Sequence, residues 1–377
     1  MAKKDINGKP FADPTQLKLD IFRRCFREWF PVFVHKPTIK HVFIYDLFAG
    51  SGYDSVGNPG SPIILLEEAM GDKKQHCVAL SQKSKLVAFA FNEMESAKRN
   101  QLENAITSKI SGCKATCSMP KCVYESHIYY ADEDFTSLIE RPNLNRILAN
   151  PAYAKFVLLD QYGFSKVNEG IFLKLVQSPT TDFIFFISSS FIRRFKNEDA
   201  VKHYIDTQKI DFNESLPKEC HRVIADFFRS LIPTDKEFYI HHFTIKRGSN
   251  YYGLIFGSGH TLGMEKFIKV CWAEDPKSGE SNCNIDNDFE EGSLFYNLKQ
   301  TEKKQRVRQE LRSAILNGTI KNNIDGLKKS LSLGCEPKLF IEVINDLKKE
   351  KKVSIMGVFN KRSTNIHKIA EYQIKLL

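Results

Sequence analysis

The chain has 377 residues, with 55 Lys and Arg against 45 Asp and Glu, giving a formal net charge of +10 and a pI near 9.0. A hydrophobic content of 42% with 29 Phe excludes a disordered chain, and the length allows two or three domains. No secretory h-region follows the first residues and no apolar run reaches the roughly 18 residues that span a bilayer, so a cytoplasmic protein with reduced thiols and no membrane contact is expected, and the basic surplus points to an anionic partner, nucleic acid first.

Residues 1–40 read as an N-terminal helical segment. Residues 1–15 are polar and read as a loose arm. In Gln16–Val34, Leu17, Ile21, Phe22, Phe26, Trp29 and Phe30 recur at helical spacing. Lys18, Arg23, Arg24 and Arg27 occupy the other faces and read as solvated.

His41–Tyr45 is an apolar run bounded by turn residues, the pattern of a buried strand. Asp46-Leu47-Phe48-Ala49-Gly50-Ser51-Gly52 follows. An acid at a strand end before a Gly-x-Gly turn suits a nucleotide-like cofactor. The glycines let the backbone approach the ligand, and Asp46 can accept from an amine or hydroxyl. The full Gly-x-Gly-x-x-Gly is absent, so dinucleotide binding fits less well; a plain strand-to-helix turn is the simpler alternative. The run D-L-F-A-G-S-G resembles the first motif of S-adenosylmethionine (SAM) dependent methyltransferases. On that resemblance Asp46, Phe48, Ala49, Gly50 and Gly52 are candidate cofactor-binding residues.

Ile63–Met70 reads as a helix and Lys85–Phe91 as the next strand. It ends near Glu93 and Glu95, where a carboxylate can take ribose hydroxyls or cap the helix expected at Ser96–Ser108; Glu93 is the first choice. Cys113, Cys117 and Cys122, with His127 beyond, have a spacing unlike tight zinc knuckles and read as ordinary loop thiols, with a structural zinc as the lesser alternative. His127–Ala131 reads as a third strand, followed by Asp132.

Asn150-Pro151-Ala152-Tyr153 resembles the Asn-Pro-Pro-Tyr of amino-methylating DNA enzymes, and Asp160-Gln161-Tyr162-Gly163 competes with it for the catalytic loop. Lys155–Leu159 is the more strand-like run, and behind it Glu169–Gln177 reads as helix and Asp182–Ser188 as strand. The active-site loop is therefore expected at Asp160–Phe164, with Asn150–Tyr153 as the turn entering that strand. Arg193 and Arg194 leave the fifth strand as a solvated pair or as phosphate contacts. Residues 196–236 read as a mostly helical insertion. Glu237–Ile245 and Tyr251–Ser258 read as a hairpin, His241 and His242 as satisfied strand residues, and Gly263–Trp272 as a helix. Polar, acidic residues 274–300 read as a linker. In 301–377, helices at Gln305–Leu316, Asn323–Leu333 and Pro337–Glu350, then strand and wing at Lys352–Phe359, suggest a small winged helix-turn-helix domain. Its basic patches run through Lys303-Lys304, Arg306, Arg308, Arg312, Lys328-Lys329 and Lys348–Lys352 and favour nucleic acid, Lys348 and Lys349 among the contacts; a protein-docking role is the alternative.

Taken in order, these features resemble a class I SAM-dependent methyltransferase over residues 41–273: an α/β, Rossmann-like central sheet with a terminal antiparallel hairpin. More closely, the chain resembles the three-Cys-motif partner (TcmP) family. The resemblance rests on the helix from Lys18 to Trp29, YDLFAGSGYDSVGNPGSP, Glu93, LLDQYG, YYGLIFGSGH and the C-terminal winged helix. It implies that Asp46, Gly50 and Gly52 hold the methionine end of SAM, Glu93 the ribose and Asp132 the adenine amine. Asp160, Tyr162 and Gly163 would form the catalytic loop, acting on an exocyclic amine of a DNA or RNA base. The family usually has Asp-Pro-Tyr/Phe-Gly there; Gln161 replaces the proline, adding freedom and a donor. That departure also admits a degenerate methyltransferase fold that senses SAM or binds nucleic acid for a partner protein in a modification or phage-defence system.

Overall fold

A computed structural model of the chain describes residues 8–72, 75–83, 85–117, 119, 121–161, 163–212, 216–285, 302–359, 367 and 370–377. Its centre is a seven-stranded sheet built from β1 (His41–Asp46), β2 (Leu86–Asn92), β3 (Ile128–Ala131), β4 (Tyr153–Leu159), β5 (Thr181–Ile187), β6 (Tyr239–Arg247) and β7 (Asn250–Ser258). The order is β3-β2-β1-β4-β5-β7-β6, and β7 runs antiparallel to the other six strands. Apolar runs buried on both faces give the parallel strands, as at Phe156–Leu159 in β4. Two alternating runs around Gly248, which sits at φ +57°, give the β6–β7 hairpin. This is the α/β sheet with a terminal antiparallel hairpin expected from the sequence. Its order reverses between β1 and β4, and in open α/β sheets a ligand crevice opens outside the carboxyl ends of the strands at that reversal.

The helix Asp13–His35 lies on one face of this sheet. Phe26 and Trp29 meet Phe156 of β4 at ring-centroid distances of 5.3 and 5.1 Å. Its charges are paired: Arg24 with Glu274 and Arg27 with Glu68 stay solvated as the sequence suggested, whereas Arg23, with Glu67 and Glu68, and Lys18, with Asp160, are partly buried. At the far end of the helix the Trp29 indole donates to buried Asp182 at 2.7 Å. The helix predicted to stop at Ser108 runs to Ala115, because Leu102, Ile106 and Ile110 continue one buried stripe. The run after β5 is a short helix, Ser189–Arg194, rather than a loop.

The predicted linker begins as packed chain. Thr244 of β6 donates to Glu280 O at 2.7 Å and accepts from Asn282 at 3.2 Å. Residues 286–301 lie outside the described residues. Beyond them, helices Glu302–Leu316, Asn323–Ser332 and Lys338–Lys349 pack around Leu311, Leu327, Phe340 and Ile344, and β8 (Val353–Gly357) pairs antiparallel with β9 (Tyr372–Leu376). This unit docks on the first through Trp272, whose indole donates to Gly334 O at 2.9 Å under the Lys304 ammonium. Among the described residues no helix is long and apolar enough to cross a membrane.

Candidate active site

The site grows from the carboxyl end of β1. The turn after Asp46 is pinned on both sides: Leu47 N–H donates to Leu158 O of β4 and Ala49 N–H to Asn92 O of β2. Gly50 and Gly52 then adopt φ +65° and +91°. A Cβ on Gly52 would stand 3.2 Å from Leu102 Cδ1 and 3.3 Å from Ala105 Cβ, so the turn needs glycine there for both conformation and space. Asp54 closes the loop, accepting from the backbone of Phe11, Val56 and Asn58 and from the Asn58 side chain.

Asp46 itself is fully buried. Its Oδ1 accepts from Phe48 N–H at 3.3 Å, and its Oδ2 has no hydrogen-bond partner among the described residues. Burial pushes its carboxyl up to about 7; the Asp160 charge adds to this, while the Ser61 hydroxyl and Phe48 N–H oppose it. A buried acceptor without a donor is uncommon and calls for an explanation.

Glu93, just past β2, faces the same turn. Its Oε2 accepts from Gly50 N–H at 3.1 Å and its Oε1 from Glu95 N–H at 2.9 Å. Each oxygen keeps acceptor capacity beyond the single bond it makes. Asn92, which sequence reasoning passed over, ties three strand ends together: its amide donates to Leu47 O and Glu133 O and accepts from Glu133 N–H. Only its position before the acid hinted at that role. Asp132 turns outward, 43% exposed, and accepts from Ser96 Oγ at 3.0 Å. Asp134 is the acid that faces the neighbouring loop, where the Lys166 ammonium donates to it at 2.6 Å. Lys166, then the Thr136 hydroxyl, hold the Asp134 carboxyl well below the usual carboxylate range. The Phe48 and Phe135 rings lie beside it, 5.0 Å apart and tilted by 41°.

Across the strand-order reversal, Asp160 ends β4. Its Oδ2 accepts from Lys18 Nζ at 2.5 Å, with the two side chains 18% and 12% exposed, and Lys18 also lies 5.0 Å from the Phe186 ring centroid. Gln161 is buried: it donates to Phe186 O at 3.0 Å and accepts from Lys166 and Val167 N–H at 2.8 and 3.2 Å. The residue that departs from the proline of the resembled motif therefore braces the loop with bonds a proline cannot make. Gly163, at φ +97°, accepts from Ser188 N–H at 2.9 Å. Tyr162 lies outside the described residues. The competing turn, Asn150–Tyr153, enters β4 at the opposite edge of the sheet. There buried Lys155 donates to Asn150 O and Pro179 O, which removes that turn from the crevice.

The remaining candidates are dispersed. Arg193 and Arg194 sit on the short helix after β5, Arg194 donating to Asn250 at 3.1 Å. Lys348 and Lys349 are exposed at the end of the third C-terminal helix, Lys348 lying 4.8 Å from the Phe359 ring. The other basic patches of that unit are largely neutralised. Lys303 is buried on Glu280, Arg308 pairs with Glu342 and Asp346, Arg312 with Glu350, Lys328 with Glu237 and Lys329 with Glu310. Among the described residues no group of His, Cys, Asp or Glu is disposed to hold a metal ion. Cys113, Cys117 and Cys122 are half-buried near Cys77, whose thiol is pushed up to about 11 chiefly by burial. His241 faces Gly279 O at 3.3 Å, but neither ring nitrogen of buried His242 makes a hydrogen bond among the described residues, Nε2 standing 3.8 Å from Glu280 Oε2, so of the pair expected to be satisfied only His241 is hydrogen-bonded. Ser189 Oγ and His221 Nδ1 are 2.7 Å apart; both residues are fully buried, and His221 Nε2 faces Leu254 O, so this is a packing pair. An open cleft of about 680 Å³ is lined by Tyr53 and Ala105, and its charges Arg23, Arg27, Lys109, Glu67 and Glu68 pair with one another.

No family model and no curated protein matches the chain. Among solved structures it is similar to Escherichia coli yhhF, named as a candidate methyltransferase, at 12% identity and TM-score 0.29 over 68% of this chain and 98% of that one. It is also similar to a Klebsiella pneumoniae protein named as a candidate O-methyltransferase (11%, TM-score 0.31, 66% and 90%). The third is the O-methyltransferase TomG from Streptomyces achromogenes, involved in tomaymycin synthesis and solved with SAM (9%, TM-score 0.29, 61% and 78%). Scores this low carry no argument about chemistry, which rests on the site itself.

Proposed function

We propose that the chain is a SAM-dependent methyltransferase acting on a base of nucleic acid, with an exocyclic amine as the favoured acceptor. The observation that carries this reading is Asp46: a fully buried carboxylate at the tip of β1, against a turn with two left-handed glycines, whose Oδ2 lacks a donor among the described residues. A buried acceptor left unpaired costs about 1–3 kcal/mol. A ligand amine or hydroxyl in the crevice would relieve that cost, so the donor set fits the methionine end of SAM. Bound SAM would supply an activated methyl group. Gly50 and Gly52 would let the backbone approach it, Phe48 and Ala49 would line it, and Glu93 would take ribose hydroxyls with its remaining lone pairs. For the adenine amine, Asp132 is the sequence choice and Asp134, facing the loop, the better placed acid.

On the substrate side, Asp160 would accept a hydrogen bond from the exocyclic amine and hold its lone pair in line for transfer, where positioning supplies most of the rate. Tyr162 would stack on the base and Gly163 would shape the loop. Lys18 holds Oδ2, so Oδ1 is the oxygen left to the amine. Arg193, Arg194, Lys348 and Lys349 would contact phosphates, and the C-terminal unit would act as a winged helix-turn-helix. Kinship with the TcmP family and a cytoplasmic setting are proposed on the same footing, from the motif block that forms the glycine turn.

A second reading is supported by the same Lys18–Asp160 ion pair and by Gln161: a degenerate fold that senses SAM or binds nucleic acid for a protein partner. One experiment separates the two. The purified protein is incubated with labelled SAM and with DNA, tRNA and rRNA from its host. Label in one fraction, lost in Asp46→Ala, supports the enzyme. SAM binding in calorimetry without label supports the sensor, and failure of both sinks the cofactor assignment.

A further inference from the structure

At the end of the proposed catalytic loop begins a group of aromatic rings for which the proposed reaction gives no role. Phe164, in the loop after β4, stacks on Phe191 of the short helix after β5, with ring centroids 5.2 Å apart and planes 23° apart. Tyr204 stands edge-on to Phe164 at 6.0 Å. Phe191 and Tyr204 are 43% and 38% exposed, whereas Phe183 and Phe185 of β5 are fully buried. Exposed aromatics gathered in one place mark a contact surface. This one is joined to the site, because the loop from Asp160 is braced by Gln161 and bonded to Ser188 through Gly163 O. The charge around it has one sign in excess: Arg193–Lys202 contains Arg193, Arg194, Lys196 and Lys202 against Glu198 and Asp199.

We propose that Phe191 and Tyr204, backed by Phe164, form a stacking platform for an unpaired nucleobase flanking the target, so that the substrate is single-stranded or looped rather than duplex. This rests on the reading of the crevice as a nucleic-acid methyltransferase site. Flat π-faces accept any base, and the adjacent cations suit the phosphates that a peptide partner lacks. A base held on a rigid extension of the Asp160 loop would fix where the next nucleotide enters the crevice.

The test uses the full chain with short single-stranded DNA and RNA oligonucleotides carrying 2-aminopurine, and the same sequences as duplexes. Wild-type protein should quench the probe on binding single strands and bind duplexes without quenching. Phe191→Ala with Tyr204→Ala should weaken single-strand binding by roughly tenfold or more. Phe191→Trp and Tyr204→Phe should retain it, and the DNA and RNA arms name the polymer. All variants should bind SAM as the wild type does in calorimetry, which separates this proposal from the cofactor reading: loss of SAM binding in the wild type with quenching intact would leave the platform standing. The platform is overturned if the alanine variant binds and quenches like wild type, if the wild type binds no oligonucleotide, or if only a protein partner is lost.

Discussion

The crevice edge of the sheet and the C-terminal unit are both rich in charge, yet the charges are disposed in opposite ways. At the crevice, acids converge from separate strands: Asp46 is buried with an oxygen unpaired, and Glu93 and Asp160 are only half satisfied. In the C-terminal unit Lys303, Arg308, Arg312, Lys328, Lys329 and Lys352 each have an acid beside them, and the deepest, Lys303, donates to both Glu280 and Ser278 O. The first arrangement leaves acceptors open, as the proposed ligand would require; in the second, Lys303–Glu280 and Lys328–Glu237 join two packed units. Net charge cannot distinguish them, because it counts residues and not their partners.

The largest expected effect tests the joining role. Lys303→Met leaves Glu280 buried with Arg222 as its remaining cation, and breaking such a pair costs about 3–5 kcal/mol. Burial opposes the Glu280 charge, and Lys303 and Arg222 outweigh it, holding that carboxyl well below the usual range. Urea unfolding should show the loss, and adding Glu280→Gln should restore much of it. A change under about 1 kcal/mol would mean that the contact is not a structural joint.

Asp46→Ala should behave in the opposite sense. Removing an unpaired buried acceptor should leave stability unchanged or higher, while SAM affinity falls by about 10–100-fold. Lower stability together with retained affinity would place Asp46 with Lys303 as a structural charge. The same contrast has a pH signature. Asp46 has a folded-state pKa raised to about 7, so the folded chain holds its proton more tightly than the unfolded chain does. Its contribution to stability is therefore fullest below the unfolded value near 3.8 and is lost as the pH rises toward 7. Ligand donors need the ionised form, so SAM affinity should increase about tenfold between pH 6 and pH 8 in calorimetry. Asp46→Asn should flatten that profile.

The elements that place the crevice were legible because their signals are local. His41–Asp46, the glycine turn and the Gly248 hairpin each show their chemistry within a few residues. What the sequence hid depends on distance along the chain. Lys18 meets Asp160 across 142 residues, and Arg308 meets Glu342 across 34, so their pairing follows from packing that no window contains. Gln161 looked like a loss because the resembled motif has proline; its bonds to Phe186, Lys166 and Val167 appear only once β5 lies alongside. The continuation of the helix to Ala115 was readable, since Leu102, Ile106 and Ile110 keep the spacing, but polar residues between them obscured it.

The smallest effect separates paired from unpaired cations within the C-terminal unit itself. A cation contributes to nucleic-acid binding when counterions leave the phosphate it meets, and each such contact adds roughly one to the slope of log affinity against log salt. Arg308 and Arg312 already hold Glu342, Asp346 and Glu350, so moving to a phosphate would break one ion pair to make another. Their alanine variants should change affinity for a host nucleic-acid fraction by less than about twofold. Lys348 and Lys349 have no ion pair among the described residues, and replacing both should lower the salt slope by about two. Equal slopes for the two double variants would mean that the acids of this unit swing away on binding. The internal pairing would then mask a phosphate-binding face, and the contrast between the two regions would hold only for the free protein.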